Sequence, residues 1–319
     1  MEFIVKKTSE LTDSEKQAML GLFNVVFEQD RKMEVFLNQY VQNPCGYSYH
    51  SLMLDAGKIV GFNSYVPSYY MVDGKKLLVA NSCDTLVFKP YRDFFNLADM
   101  IAAARKAMKA EGVAFYYGFP NDNSYPVVIK GKITKEVGTL DTYFLPFRIG
   151  GIVKKLRILN PLSQLFSYIL LYLSGPGKKT IKEFRIAKEL DSYNETRYRR
   201  MDADYNIIND IAGGFTYKVM DYNGIRTAFL IDIFEKSERN FKKAVKYILK
   251  DEKQHFDILL YVGHLPKGLR NVGLVRMPHK YEPKHFHFTA RVLDKNAIEE
   301  VTVLNIDNWD VNLSNYDII

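Results

Sequence analysis

Apolar and polar positions set out one order of elements twice along the chain. Glu2 to Lys6 reads as a short edge strand. Behind Leu11-Thr12-Asp13, a capping sequence, apolar Ala18, Leu20, Leu22, Val25 and Val26 predict a helix from about Ser14 to Phe27. A second helix, Arg31 to Gln42, stops at Asn43-Pro44, because proline disfavours a helical residue before it. Alternation then takes over. Ser51 to Leu54 and Ile59 to Pro67 predict a hairpin around Asp55-Ala56-Gly57-Lys58, and Ser68 to Val72 with Lys76 to Ala80 predict another around Asp73-Gly74. Cys83 to Phe88 is strand-like and is ended by Pro90. Leu97, Ile101, Ala104 and Met108 recur at helical spacing, Gly112 closes that helix, and Val113 to Tyr117 form a strand ended by Gly118 and Pro120. Val137 to Leu145 predicts a strand pair around Gly138.

Residues 148–180 change character. Lys154, Lys155 and Arg157 precede an apolar run, Leu162 to Leu173, far shorter than the roughly twenty residues a membrane-spanning helix needs. Its place between two halves predicts a helix buried there; docking on anionic lipid is the alternative. Asp191 to Glu195 then opens a helix through Arg200, and Phe215 to Asp221 with Ile225 to Ile233 predict a hairpin around Asn223-Gly224. Ser237 caps a helix with Phe241, Ala244, Val245, Ile248 and Leu249 on one face, and His255 to Val262 is a buried strand. The expected organisation is therefore two domains, 1–147 and 181–319, joined by a helical linker at 148–180.

Composition narrows the partners. A chain with 47% hydrophobic and 25% charged residues reads as an ordinary globular protein, and 22 Tyr with 21 Phe suit sheets and aromatic-lined clefts. A net charge of +7 suits an anionic partner such as a nucleotide, a phosphorylated sugar or a membrane surface. The basic residues are scattered, which argues against nucleic acid. Cys45 and Cys83 have no CxxC spacing, so neither a zinc site nor a disulfide is expected, and two lone thiols suit a reducing cytoplasm. The N-terminus, MEFIVKKTSELTDSEKQ, lacks an apolar core, so no secretory signal is expected.

The candidate chemistry sits where a strand, a short loop and a helix start follow one another around Leu86 to Leu97. Helix N-termini offer unpaired amides and partial positive charge, so a phosphate-bearing ligand is the natural occupant, although many such units bind nothing. The run Leu86-Val87-Phe88-Lys89-Pro90-Tyr91-Arg92 resembles the strand and loop that hold acetyl-CoA in GNAT N-acetyltransferases. Arg92 matches the first position of that superfamily's Arg/Gln-x-x-Gly-x-Gly/Ala loop. Phe95 and Leu97 stand where small residues are expected, a departure because glycine allows close backbone approach to phosphates. Gly118-Phe119-Pro120-Asn121, followed by Ser124 and Tyr125, is similar to a subgroup with two GNAT domains in one chain, often found near surface-polysaccharide biosynthesis.

The resemblance implies an α/β fold with a mixed, mostly antiparallel sheet, in two GNAT-like acyl-CoA N-acyltransferase domains in tandem. It implies acetyl-CoA as co-substrate, contacted by Leu86, Val87, Phe88, Arg92, Asp93, Phe94, Phe95, Asn96, Leu97 and Asn121, with no metal. An open amide at Val87 or Phe88 would polarise the thioester carbonyl. Asp84 is the nearest carboxylate to serve as base; its structural alternative is to bond a neighbouring amide or Thr85. Val128 occupies the family's general-acid position, and Tyr125 is the nearest phenol. The implied acceptor is a small amine, an amino sugar or its nucleotide derivative. The second half carries Glu-Lys-Ser-Glu-Arg-Asn where its loop should be, and is expected to bind no acetyl-CoA. Trp309 is expected to anchor the last strand.

Other readings stay open at this point. Tyr47, Tyr49 and His50 either line an acceptor wall or form cross-strand aromatic pairs. His279, His285 and His287 lie close enough in sequence to raise a metal site, but with no cysteine nearby they read as strand residues among Phe286 and Phe288, or as contacts to an anionic acceptor. Arg270, Arg276, Lys280, Lys284 and Arg291 read as a solvated face. A catalytically silent scaffold, with Phe95 and Leu97 packed into the cofactor groove, is one alternative function. An aminoacyl-tRNA-dependent transferase is another.

Overall fold

The structure is a computed structural model that describes residues 1–175, 177, 184–190, 196–200, 204–208, 214–251, 255–266, 268–269 and 272–316. The expected helix start at Asp191 to Glu195 lies outside the described residues, as does Arg270, whereas Thr196 to Arg200 are described. Contacts divide the chain into two compact units: Met1–Gly138, Arg185–Ala203 and Phe286–Asp310 form one, and Thr139–Phe184, Asp204–His285 and Val311–Ile319 the other.

In the first unit, β1 (Glu2–Lys7), β2 (Tyr49–Asp55), β3 (Lys58–Val72), β4 (Lys75–Val87) and β5 (Phe115–Gly118) lie side by side in chain order, followed by β13 (Phe286–Val292). Neighbours are antiparallel except β4 and β5, which are parallel because α3 (Phe94–Ala110) crosses between them. The pair of hairpins expected over residues 51–80 is instead a meander of two long strands. Nothing breaks β3 at Pro67, because the missing N–H falls where β2 has ended, at Tyr65, and β7 (Ile186–Lys188) has not begun, at Tyr70. Helices α1 (Asp13–Phe27) and α2 (Met33–Val41) bury Met19, Phe23, Phe36 and Tyr40 against Leu52, Phe62, Val66 and Leu86. Trp309 packs edge-on against Phe288 of β13, 4.9 Å between centroids, and donates its indole N–H to the Val303 carbonyl.

Tyr49 and His50 are core residues, which excludes them as an acceptor wall. His50 bonds Thr8 Oγ1 at 2.9 Å and Ser64 Oγ at 2.8 Å, and burial holds its pKa down at about 3. The unfolded chain's histidine titrates near 6.5, so between about 6.5 and 3 the unfolded state binds the extra proton. Stability is therefore complete above that window and falls as pH drops through it, by up to about 1.4 kcal/mol per pH unit. Urea midpoints from pH 7 to 4 should show this slope in the natural chain and lose it in His50→Asn; equal slopes contradict the assignment.

In the second unit β6 (Lys135–Pro146, from Thr139 on), β11 (Ile258–Gly263), β10 (Ile225–Ile233), β9 (Phe215–Tyr222) and β8 (Asn206–Ile208) are neighbours in that order, and β12 (Val275–Arg276) also pairs β6. The strand pair expected around Gly138 is one continuous strand. The glycine there marks a close approach, not a turn: a Cβ would stand 2.8 Å from Ile306 Cδ1. Asn223 and Gly224 both take positive φ in the tight turn between β9 and β10, as their identity demands.

Helices α4 (Tyr125–Lys130), α5 (Ile149–Ile152), α6 (Asn160–Leu173), α7 (Glu238–Lys250) and α8 (Glu300–Val303) complete the described set. Helix α6 overturns the expectation of burial. Ser167 is its one buried residue, whereas Leu162, Leu165, Phe166, Ile169, Tyr172 and Leu173 are exposed.

Candidate active site

Strands β4 and β5 pair from Val79–Phe115 to Ser82–Gly118, where β5 ends and β4 continues to Val87. Just past this parting β4 bulges: Phe62 faces Leu86 and Ser64 faces Cys83, so Asp84 and Thr85 together oppose Asn63. Asp84 takes φ +44°, a backbone conformation disfavoured for residues with a side chain. Beyond the bulge, Phe88 donates its amide to the Val60 carbonyl of β3 at 2.8 Å. Amides alternate edges along a strand, so Val87 faces the other way, toward the edge that β5 has left. The Val87 carbonyl shares that edge and accepts from Arg92 Nε at 2.8 Å. Of the two amides expected to be open, the geometry therefore takes Phe88 away and leaves Val87.

Leu86 and Val87 are buried in separate core clusters, so only their main chain can face a ligand. Leu97 packs beside Val87 and Met100. Phe95 is 76% exposed and does not pack into a groove, contrary to the silent-scaffold expectation. The ring that closes in is Phe94, which lies against Gly131 at the C-cap of α4: a Cβ on Gly131 would come within 2.2 Å of Phe94 Cε2. Gly131→Ala should therefore cost roughly 1–3 kcal/mol by overpacking, and Phe94→Ala in the same chain should recover much of it. A urea-unfolding double-mutant cycle reads the coupling; simple additivity would disprove the contact.

Asp93 is the N-cap of α3. Its carboxylate accepts the Asn96 amide at 2.9 Å and also Asn96 Nδ2, which reaches the Tyr91 carbonyl at 3.0 Å. A carboxylate thus already occupies the positive end of α3, leaving Phe94 and Phe95 to supply the amides that a helix start does not use.

Asp84 is hydrogen-bonded, to partners other than those its structural alternative expected. Tyr40 donates its hydroxyl at 2.8 Å and Gln39 its side-chain N–H, while Thr85 bonds Asn63 at 2.7 Å. Burial and the neighbouring Asp84 charge hold the Tyr40 phenol well above its ordinary pKa. Asn121 builds the turn before α4, its Oδ1 accepting the amides of Asn123 at 3.1 Å and Ser124 at 2.9 Å.

Tyr125 stands in a different cluster from Asp84. Its ring stacks on His287 with centroids 3.8 Å apart and planes 11° from parallel. Burial first, then a hydrogen bond to Glu136 and that group's charge, raises the phenol's pKa. His287 Nε2 lies 2.9 Å from Asp122 Oδ1. In the neutral ring, an acceptor there favours N–H on Nε2. The position follows from topology: β13 pairs Thr289 with Gly118, so His287 sits beside the turn leaving β5. Sequence reasoning singled out His287 but had no signal for its pairing with residue 122, because the partners are 165 residues apart.

The second unit contains a related unit of β10, loop, α7 and β11, parallel from Thr227–Ile258 to Leu230–Tyr261, with a register shift between Leu230 and Asp232. Here the strand ends are filled. Asn312 is fully buried, pairs with Gly263, and donates to Asp232 Oδ1 at 2.6 Å; Glu238 and Lys236 beside the helix start are buried too.

No protein-family model matches the chain, and no curated protein matches it. Solved structures do. A GCN5-related N-acetyltransferase from Kribbella flavida superposes with TM-score 0.60 at 11% identity, covering 92% of this chain and 72% of its own. The fold is the GNAT fold. A conserved Enterococcus faecalis V583 protein described as a probable N-acyltransferase gives 0.58 at 14% identity, covering 92% and 73%. Eis1 from Mycobacterium abscessus gives 0.55 at 10%, covering 95% and 76%. The parting of β4 from β5, the bulge at Asp84 and the helix start at Asp93 are thus features carried on a GNAT fold.

Proposed function

We propose that the first unit is an acetyl-CoA-dependent N-acetyltransferase acting on a small amine, with an amino sugar or its nucleotide derivative as acceptor class. The observation that carries this is the Val87 amide at the edge where β4 has parted from β5, with Arg92 held beside it. Acetyl-CoA would supply the acetyl group as a thioester, its carbonyl end at that edge. Val87 N–H would hold the negative charge that develops on the carbonyl oxygen. Arg92, Phe94 and Phe95 would meet the diphosphate. His287, oriented by Asp122, would take the amine's proton, and Tyr125 would return a proton to the leaving sulfur. We read the second unit as a degenerate GNAT-like partner that binds no acetyl-CoA, supported by the buried Asn312–Asp232 pair.

Asp93 and Phe94 favour one competing reading, the silent scaffold, because a carboxylate and a ring stand where the diphosphate would lie. Release of the CoA thiol, followed across a panel of amino sugars, nucleotide amino sugars and simple amines, separates the two. Acceptor-dependent release supports the transferase; none with any amine supports the scaffold.

A further inference from the structure

Helix α6 is built inside out. Its serines face the protein: Ser163 donates to the Phe147 carbonyl at 3.0 Å and Ser167 to the Pro146 carbonyl at 3.1 Å, with Leu170 and Leu171 packed on the same core. Most of its large apolar residues face outward. Leu162, Leu165, Phe166, Ile169, Tyr172 and Leu173 recur at the three- and four-residue spacing of one helix face, with Tyr172 84% and Leu173 73% exposed. Exposed Ile158 and Leu159 extend the patch at its N-terminal end. A contiguous apolar surface of this kind marks an interaction site.

Charge identifies the partner. From Thr142 to Lys182 the sequence has no Asp or Glu, but it has Arg148, Lys154, Lys155, Arg157, Lys178, Lys179 and Lys182. This stretch alone matches the net +7 of the whole chain, so the scatter of basic residues read from the sequence breaks down here. Lys154, Lys155 and Arg157 are exposed and lie directly ahead of the apolar face. Beside the helix, Arg148, Lys250 and His255, with Asp251 the one acid among them, stand around a cleft of about 670 Å³ that Gln164 and Tyr168 also line. Fourteen helical residues extend about 21 Å, and no helix among the described residues is long and apolar enough to cross a membrane. An apolar face with a basic flank, too short to span, has the form of a helix that lies in the plane of a bilayer surface. Self-association would set these cations against those of a second copy, with Asp251 the single acid lining the cleft.

We propose that α6 docks the protein on an anionic lipid bilayer, with the apolar face among the acyl chains and Lys154, Lys155 and Arg157 at the headgroups. The test uses the full chain and vesicles of phosphatidylcholine with or without phosphatidylglycerol. The protein is expected to sediment with the anionic vesicles only, and less as salt rises. Leu165→Glu with Ile169→Glu should weaken partition roughly tenfold or more while leaving the melting temperature unchanged, since both side chains are exposed. Neutralising Lys154, Lys155 and Arg157 to Gln should weaken it on the order of a hundredfold, at about fivefold per cation. No sedimentation with anionic vesicles, equal sedimentation with neutral ones, or partition unchanged by the glutamates overturns the proposal. So does a dimer that the glutamates disperse in a protein that ignores vesicles.

Discussion

Replacing His287 by alanine should lower kcat by about 10²–10⁴-fold and leave acetyl-CoA affinity nearly unchanged. The expectation rests on the Asp122–His287 pair and on the Tyr125 ring stacked against the imidazole. An attacking amine must lose a proton, and a histidine held by a carboxylate is suited to take it. Asp122→Asn, which cannot enforce the tautomer, should lose less than the alanine variant. Tyr125→Phe keeps the stack and removes only the proton donor, so it should lower kcat while leaving His287 in place. A His287→Ala enzyme of near-normal kcat would remove this pair from the chemistry. Asp84, already occupied by Tyr40 and Gln39, would then return as the candidate base.

Asp93→Asn should tighten acetyl-CoA binding about tenfold at low salt. The carboxylate sits at the positive end of α3 and repels any diphosphate placed there; at an effective dielectric near 20, one such charge at several ångströms opposes binding by a few kcal/mol before screening. Asparagine caps a helix about as well as aspartate, so the variant should keep its stability. Asp93→Ala loses the cap as well and should cost about 1 kcal/mol in unfolding. Calorimetric titrations of the natural chain and Asp93→Asn at two salt concentrations read both effects. Unchanged affinity places the diphosphate elsewhere.

The sequence announced the architecture because its signals are local. Asn223-Gly224 and Asp73-Gly74 demand tight turns, Ser237 and Thr12 cap helices, and the α3 face is written at helical spacing. It misjudged what depends on neighbours. Pro67 looks like a break until one knows that no strand bonds its edge, and Gly138 looks like a turn until Ile306 is placed against it. Helix α6 looks like core because periodicity records that leucines share a face, not which way that face turns. In the candidate site, the parting strands and the Arg92 loop could be inferred from order. The Phe94–Gly131 contact and the His287–Asp122 pair could not, since both join segments distant in the chain.

The central claim is that Val87 presents an open amide to a thioester-bearing cofactor, and calorimetric titration of the natural chain with acetyl-CoA tests it most directly. Saturable heat at micromolar ligand, lost in Arg92→Glu, is the expected result. Absence of heat up to millimolar acetyl-CoA, in the natural chain and in Asp93→Asn alike, would contradict it.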